Sequence, residues 1–127
     1  MQAQMYDPLR VLLVDDAPFL RFAFGRLLRL QGFDVREAPD GQEALRCSSE
    51  FHPQVVLTDL MMPEMDGLEL IRRLHEEPET ATVPVIVITA DASEPTLRQA
   101  REAGAAEVIT KPIHMSEFLE RLRGVPI

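Results

Sequence analysis

Residues 55–63 read Val-Val-Leu-Thr-Asp-Leu-Met-Met-Pro, in which an apolar run at 55–58 is followed by the carboxylate of Asp59. The run has the length and β-branched character of a buried parallel strand. Asp59 therefore stands at the carboxyl end of a strand, which is the edge where open α/β sheets bind their ligands. This position predicts that Asp59 takes part in the chemistry of the protein.

Three other apolar runs also end in polar or ionic side chains. The run at 11–14 is followed by Asp15 and Asp16, and two later runs end at Thr89 and at Lys111. Because parallel strands present their carboxyl ends at one edge of a sheet, we expect all these side chains to converge.

Length, charge and composition narrow the class of protein. The 127 residues suit one domain with a real core, and 46% of them are hydrophobic. A net charge of −8 argues against nucleic-acid binding by this domain. No apolar run is long enough for a membrane span, and the start lacks the pattern of a signal peptide. The single Cys47 cannot form an internal disulfide, which agrees with a cytoplasmic location.

The pattern of the chain predicts strict alternation of strands and amphipathic helices. Segments with helical spacing separate the strands; Gly32 is expected to terminate the first helix, and the fourth is expected to begin at Ser93 and end at Gly104. The predicted strands cover residues 10–14, 33–37, 54–58, 84–89 and 107–110.

This alternation predicts an α/β fold: a doubly wound, five-stranded parallel sheet with five helices. The flavodoxin-like strand order 2-1-3-4-5 would put the first and third strands side by side, and Asp15 and Asp16 close to Asp59. Residues 1–9 are expected to form a flexible leader, residues 10–123 the domain, and residues 124–127 a frayed end or the start of a linker.

A divalent cation would resolve the repulsion among three clustered carboxylates. Mg²⁺ is typically held by one or two carboxylates, waters and a phosphate oxygen, which is the arrangement that phosphoryl transfer requires. Lys111 is a suitable cation for the phosphoryl oxygens, Thr89 is a suitable hydrogen-bond donor, and a nucleophilic aspartate would give an aspartyl phosphate.

Each residue alone has a plainer interpretation. Asp16 could cap the first helix, Thr89 could be an ordinary strand-end threonine, and Lys111 could be a surface lysine. The bond from Lys111 to Pro112 could fix the loop as a cis peptide. The combination at four strand ends favours the functional interpretation.

The chain resembles the receiver domains of two-component response regulators. The resemblance covers about residues 10–123 and rests on four ordered motifs: VLLVDD at 11–16, VVLTDLMMPEMDG at 55–67, VIVITA at 85–90, and the segment from Ala103-Gly104-Ala105 to Lys111-Pro112.

The resemblance implies a role for each residue of the predicted site. Asp59 would be the phosphoacceptor. Asp16, Asp59 and the Met61 carbonyl would bind Mg²⁺, with Asp15 acting through water, and Thr89 and Lys111 would contact the phosphoryl group.

The resemblance also implies the partners of the domain. The phosphoryl donor would be a histidine kinase or a histidine phosphotransfer protein. The fourth helix, last strand and last helix would form a homodimer or partner surface, and Gly67 would shape the loop after the acceptor strand.

The chain departs from the family pattern at the position three residues before the lysine. Receivers commonly carry an aromatic residue there, which turns inward when the threonine moves, whereas this chain has Val108. We expect a switch of reduced amplitude, or one that acts through the loop after Thr89. Met61 favours slow loss of the phosphoryl group, and Asp91 could oppose it by holding a water molecule.

Several other functions are compatible with parts of the sequence. A degenerate receiver would act only as a protein-binding module, although the intact set of acids, threonine and lysine argues against it. A Mg²⁺-dependent phosphatase with an aspartyl-phosphate intermediate would require an aspartate where Met61 stands. A flavodoxin-like cofactor binder would require a phosphate-binding loop where Asp15 and Asp16 stand.

Overall fold

Strands and helices alternate strictly along residues 8–127, the part of the chain that the computed structural model describes. The leader expected at residues 1–9 lies almost entirely outside the described residues. The elements are β1 (Arg10–Val14), α1 (Pro18–Leu30), β2 (Asp34–Ala38), α2 (Gly41–Phe51), β3 (Val55–Asp59), α3 (Gly67–Glu76), β4 (Val85–Thr89), α4 (Glu94–Ala103), β5 (Glu107–Thr110) and α5 (Met115–Arg123).

The five strands form one parallel sheet in the order β2-β1-β3-β4-β5, which confirms the predicted topology. β3 ends one residue later than predicted, at Asp59. The reason lies in the backbone: Asp59 pairs in register with Ile88, and the Leu60 N–H donates to the Ile88 carbonyl at 3.2 Å. The hydrogen-bonded ladder therefore holds Asp59 in place.

Alternate side chains of each central strand enter two separate cores on opposite faces of the sheet, as the period of two in a strand requires. On one face Leu12 and Val56 pack with α2, α3 and α4; on the other Val11 and Leu57 pack with α1 and α5. All four side chains are fully buried. The sheet is thereby fixed between two helical layers, and its carboxyl edge is left open at the surface.

The helix ends mostly follow the sequence signals. Asp40 caps α2 by accepting the Glu43 N–H at 2.8 Å. Ser93 and Gly104 bound α4 as predicted, with Gly104 in the left-handed region at φ +112°, which favours glycine. No helix within residues 8–127 has the length and apolar character needed to cross a bilayer.

Packing continues past the last helix. The Val125 side chain is buried in the core between the sheet and the α1/α5 layer, and its N–H donates to the Leu122 carbonyl at 3.1 Å. The boundary expected between residues 123 and 124 falls inside this packed turn.

Candidate functional site

The register of the sheet brings the predicted site residues to one edge. Asp59 and Thr89 are the last residues of the adjacent strands β3 and β4. Asp15 follows the last residue of β1, and Lys111 follows the last residue of β5. Polar and ionic side chains from four strand ends therefore lie at one edge of the sheet, where they can act on one bound group.

Asp15, Asp16 and Asp59 form a cluster in which one carboxylate oxygen from each residue lies within 4.8 Å of the others. Asp15 is buried, Asp59 is partly buried and Asp16 is exposed, so the cluster opens to solvent on one side. Carboxylate oxygens with an open, hydrated side suit a Mg²⁺ ion, which keeps several of its waters. The three acids could therefore hold such an ion.

Asp16 is free for such a role because it does not cap α1. The N-cap of α1 is Ala17, and no side chain caps this helix. The neighbouring acid stabilises the turn instead, since Asp15 Oδ1 accepts the Ala17 N–H at 2.9 Å. The interpretation of Asp16 as a helix cap is therefore wrong.

Lys111 offsets part of the negative charge. Its Nζ lies 3.4 Å from Asp59 Oδ2 and 3.9 Å from Asp15 Oδ2. Within residues 8–127, it is the one side-chain cation within 4.0 Å of these two carboxylates. The bond from Lys111 to Pro112 is cis, as the sequence suggested. One ammonium facing three carboxylates leaves the site negative and attractive to a cation.

The pKa of Asp59 is raised above its ordinary value. The main cause is burial, which disfavours the charged form, and the nearby Asp15 carboxylate adds to it. Lys111 opposes the shift, as does the Leu60 N–H, which donates to Asp59 Oδ1 at 2.9 Å. Because the net shift of the Asp59 pKa is upward, keeping this carboxylate charged in the folded protein lowers the stability.

Thr89 is buried at the end of β4, and its hydroxyl is connected to the loop that follows. Thr89 Oγ1 accepts the Asp91 N–H at 3.0 Å. The Asp91 carboxylate in turn accepts the Ser93 N–H at 2.9 Å and the Thr96 hydroxyl at 2.6 Å. A chain of hydrogen bonds thus joins the site to the first turn of α4.

The loop after β3 requires glycine at position 67. A Cβ on Gly67 would lie only 2.6 Å from the Asp59 carbonyl oxygen, too close for any real side chain. The absence of a side chain lets the Gly67 N–H donate to the Leu60 carbonyl at 2.8 Å. This contact holds the start of α3 against the end of β3, as expected for Gly67.

Sequence reasoning missed Arg21, which reaches the backbone of the acidic loop. Arg21 Nη1 donates to the Asp15 carbonyl at 2.7 Å, and its Nε pairs with Glu37 Oε1 at 3.3 Å. The available signal was a helical stripe, Arg21, Gly25 and Arg29, in which a glycine costs about 1 kcal/mol relative to alanine. That cost indicated close packing at Gly25, but it did not identify the group that Arg21 contacts.

Comparisons with known proteins agree on one domain type. A sequence model of the response regulator receiver domain matches residues 11–123. The chain is 39% identical over 119 residues to the transcriptional regulatory protein TrcR of Mycobacterium tuberculosis, covering 94% of this chain and 46% of that protein. It is 41% identical over 110 residues to a gliding motility regulatory protein of Myxococcus xanthus, covering 87% of this chain and 14% of that protein. The chain thus spans less than half the length of these two curated relatives.

Solved structures show the same fold. The chemotaxis protein CheY4 of Vibrio cholerae matches with a TM-score of 0.89 at 27% identity, covering 94% of this chain and 99% of that chain. A putative response regulator of Chloroflexus aurantiacus matches with a TM-score of 0.86 at 31% identity, covering 92% and 96%. Sequence and structure therefore point to one family.

Replacing Asp59 by Asn should raise the Tm of the metal-free protein at pH 7 by a few degrees, the size of an ordinary single-residue effect. The raised pKa means that Asp59 keeps its proton to a higher pH in the folded protein than in the unfolded chain. The stability of the wild type therefore falls as pH rises from the unfolded pKa of Asp59 to its folded pKa. The gain from Asp59→Asn should therefore be full above the raised pKa and vanish below the unfolded value of about 3.9. Thermal unfolding in EDTA across this range measures it.

Asp34→Asn is the matched control, because it removes the same charge from an exposed acid. Asp34 is the first residue of β2 and so lies at the edge of the sheet opposite to the acidic cluster. Its Tm should stay close to that of the wild type at each pH. Equal gains in both variants would show that overall charge, and not the acidic cluster, sets the effect.

Proposed function

This chain belongs to the response regulator receiver domain family, and from that membership we propose that Asp59 accepts a phosphoryl group. A receiver domain is a signalling module of two-component systems and not a conventional enzyme. The proposed donor is a histidine kinase or a histidine phosphotransfer protein. The observation that carries the proposal is Asp59, partly buried at a strand end, with Lys111 at 3.4 Å and two further acids beside it.

In the proposed reaction a carboxylate oxygen of Asp59 attacks the phosphorus of a phosphohistidine. The O–P bond forms as the N–P bond breaks, and the imidazole leaves with the electron pair of that bond. Lys111 keeps Asp59 in its nucleophilic, charged form and then faces the phosphoryl oxygens. The Thr89 hydroxyl accepts the Asp91 N–H through a lone pair, so its own proton is free for donation to a phosphoryl oxygen.

The proposed Mg²⁺ ligands are Asp16, Asp59 and the Met61 carbonyl, with Asp15 bonding through water. A bound Mg²⁺ ion supplies neutralisation of the charge that develops on the phosphoryl oxygens. The clustered carboxylates support the assignment, as does the freedom of Asp16 from any capping role.

We propose a long-lived phosphoryl group for this site. Met61, two residues after Asp59, has an apolar side chain and is 73% exposed. The Asp91 carboxylate is engaged by Thr96 and by the Ser93 N–H, and the Thr96 hydrogen bond above all lowers its pKa. Because both oxygens of the Asp91 carboxylate already accept hydrogen bonds in this turn, Asp91 is poorly placed to bind the water that would attack the phosphoryl group.

The proposed docking surface for the donor is α1, whose outer side is unusually apolar. Five of the seven exposed large hydrophobic residues of the described chain lie on this one helix: Phe19, Leu20, Phe22, Leu27 and Leu30. A groove of about 500 Å³ beside α1 shares Asp15 and Lys111 with the acidic site at one end. An amphipathic helix of the donor that covers this face would bring its histidine to Asp59.

The proposed receiver unit spans residues 10–123, and Val125, in the segment 124–127, packs against its core. The curated relatives extend well beyond the length that they share with this chain. A surface made by α4, β5 and α5 is the proposed contact for a second copy or a downstream partner.

Incubation with Mg²⁺ and acetyl phosphate should give a single phosphoryl adduct that is stable in acid and labile in base. Intact mass spectrometry detects it, and Asp59→Asn should abolish it. Asp34→Asn, with the same loss of charge away from the site, should form it normally. Failure of the wild type to form the adduct with either acetyl phosphate or a kinase would favour a receiver that acts only by binding.

Phe22→Ala should slow phosphoryl transfer from a protein donor about tenfold or more, since a buried aromatic contact carries much of the energy of an interface. The rate with acetyl phosphate should not change, because Phe22 lies on the outer side of α1 and is 63% exposed. Ile127→Ala is the control: it truncates a comparably exposed apolar side chain that lies away from α1, beside Pro53 and Pro84. An equal loss with both donors would exclude a docking role.

Beryllofluoride with Mg²⁺, a mimic of the phosphoryl group, should shift the amide signals of residues 91–96 more than those of residues 108–110. Val108 is buried in the core and cannot turn as an aromatic residue would, whereas Thr89 is bonded directly to Asp91. Two-dimensional NMR on labelled protein measures both sets. Shifts confined to the acidic cluster would exclude a relay into α4.

A further inference from the structure

The loop that carries Asp15 and Asp16 has one internal bond, in which Asp15 Oδ1 accepts the Ala17 N–H. Its main-chain bonds include one from the Asp15 N–H to the Ala38 carbonyl, at 3.2 Å. The helix that follows has no side-chain cap, and Pro18 at its start lacks an N–H. The orientation of the Asp15–Asp16 peptide therefore depends on contacts from elsewhere in the fold.

Arg21 supplies such a contact from the second turn of α1. Its Nη1 donates to the Asp15 carbonyl at 2.7 Å, a charge-assisted hydrogen bond to the very peptide that joins the two acids. The Arg21 side chain is only 18% exposed, so water competes weakly for this bond. A rotation of the Asp15–Asp16 peptide would break the bond and redirect both carboxylates.

Glu37 on β2 holds Arg21 in this orientation. Glu37 Oε1 pairs with Arg21 Nε at 3.3 Å, while Glu37 Oε2 pairs with Arg29 Nη1 at 2.9 Å. Arg29 is itself fixed by donation from its Nη2 to the Val35 carbonyl at 3.0 Å. The carboxylate of Glu37 thus lies between two arginines and fixes the direction of the Arg21 guanidinium.

Gly25 makes this arrangement possible. It is buried in the middle of α1, and a Cβ there would lie 2.7 Å from Glu37 Oε2. The helix therefore passes directly over the Glu37 carboxylate, and a side chain at position 25 would push this carboxylate away from its present position. This contact explains why a glycine occupies a position where it weakens the helix.

We propose that Arg21 is a positioning residue for the acidic site: with Glu37 and Gly25 it orients the Asp15–Asp16 peptide for binding of the divalent cation. Arg21 acts through the Asp15 backbone and touches no reacting atom. The inference rests on the proposed function for its readout with Mg²⁺, but the orientation of the peptide can be tested without metal.

The sign of the effect separates positioning from simple electrostatics. Arg21 is positively charged, so Coulomb repulsion alone predicts that Arg21→Gln binds Mg²⁺ more tightly than the wild type. Loss of positioning predicts weaker binding, by about 10-fold or more, the range found when groups that orient metal ligands are removed. Arg21→Lys should be intermediate, since one ammonium cannot satisfy both the Asp15 carbonyl and Glu37 as a forked guanidinium does.

Arg29→Gln is the matched control. It removes the same charge from the same helix and also breaks a contact with Glu37, but it leaves the bond to the Asp15 carbonyl intact. Its Mg²⁺ affinity, measured by titration calorimetry, should stay within about twofold of the wild type. Gly25→Ala, which displaces Glu37, should weaken binding in the same direction as Arg21→Gln.

Amide hydrogen exchange in EDTA provides the metal-free measurement. The Ala17 N–H, which donates to Asp15 Oδ1, should exchange about tenfold faster in Arg21→Gln and nearly unchanged in Arg29→Gln. Mg²⁺ binding by Arg21→Gln as tight as that of the wild type, or unchanged Ala17 exchange, would overturn the inference. A wild type that binds no Mg²⁺ would instead count against the proposed function, and Ala17 exchange would still decide the role of Arg21.

Discussion

Mutual repulsion among the carboxylates of Asp15, Asp16 and Asp59 is the constraint on which the rest of the structure depends. Two unit charges about 4 Å apart repel by roughly 1 to 4 kcal/mol in the surroundings of a protein surface. The strands that carry these acids outweigh that repulsion, because each fully buried Val or Leu side chain contributes about 1.5 to 3 kcal/mol. Two cores thus hold like charges together at one edge, where Lys111 offsets only part of them.

The sequence predicted the fold and the meeting of Asp15, Asp16, Asp59 and Lys111, because both follow from short-range patterns. Apolar runs of strand length separated by helical spacing define a doubly wound sheet, and the residues that end the runs must meet at its edge. The one-residue shift at Asp59 was not predictable, because only the pairing with Ile88 shows how far the ladder extends. Arg21 was missed for a related reason: its acceptor is a backbone carbonyl, which leaves no trace in the pattern of side chains.

The site is connected to the rest of the molecule by two different kinds of contact. On the side of α1, Arg21 donates to the Asp15 carbonyl and is itself held by Glu37, so the peptide between Asp15 and Asp16 is fixed. On the side of α4, the Thr89 hydroxyl is the first member of a series of hydrogen bonds that reaches Thr96. The first set is part-buried and resists movement, whereas the second is mostly exposed and can be rearranged at lower cost.

The apolar outer side of α1 and the net charge of −8 act in opposite directions when two free molecules meet. Charge keeps them apart, but only over a Debye length of about 10 Å at 0.1 M salt. Added salt shortens that range and leaves the attraction between exposed Phe19, Phe22 and Leu30 side chains in place. The colloidal stability of the unpartnered domain therefore falls as ionic strength rises, and a protein bound along α1 preserves solubility by shielding this face.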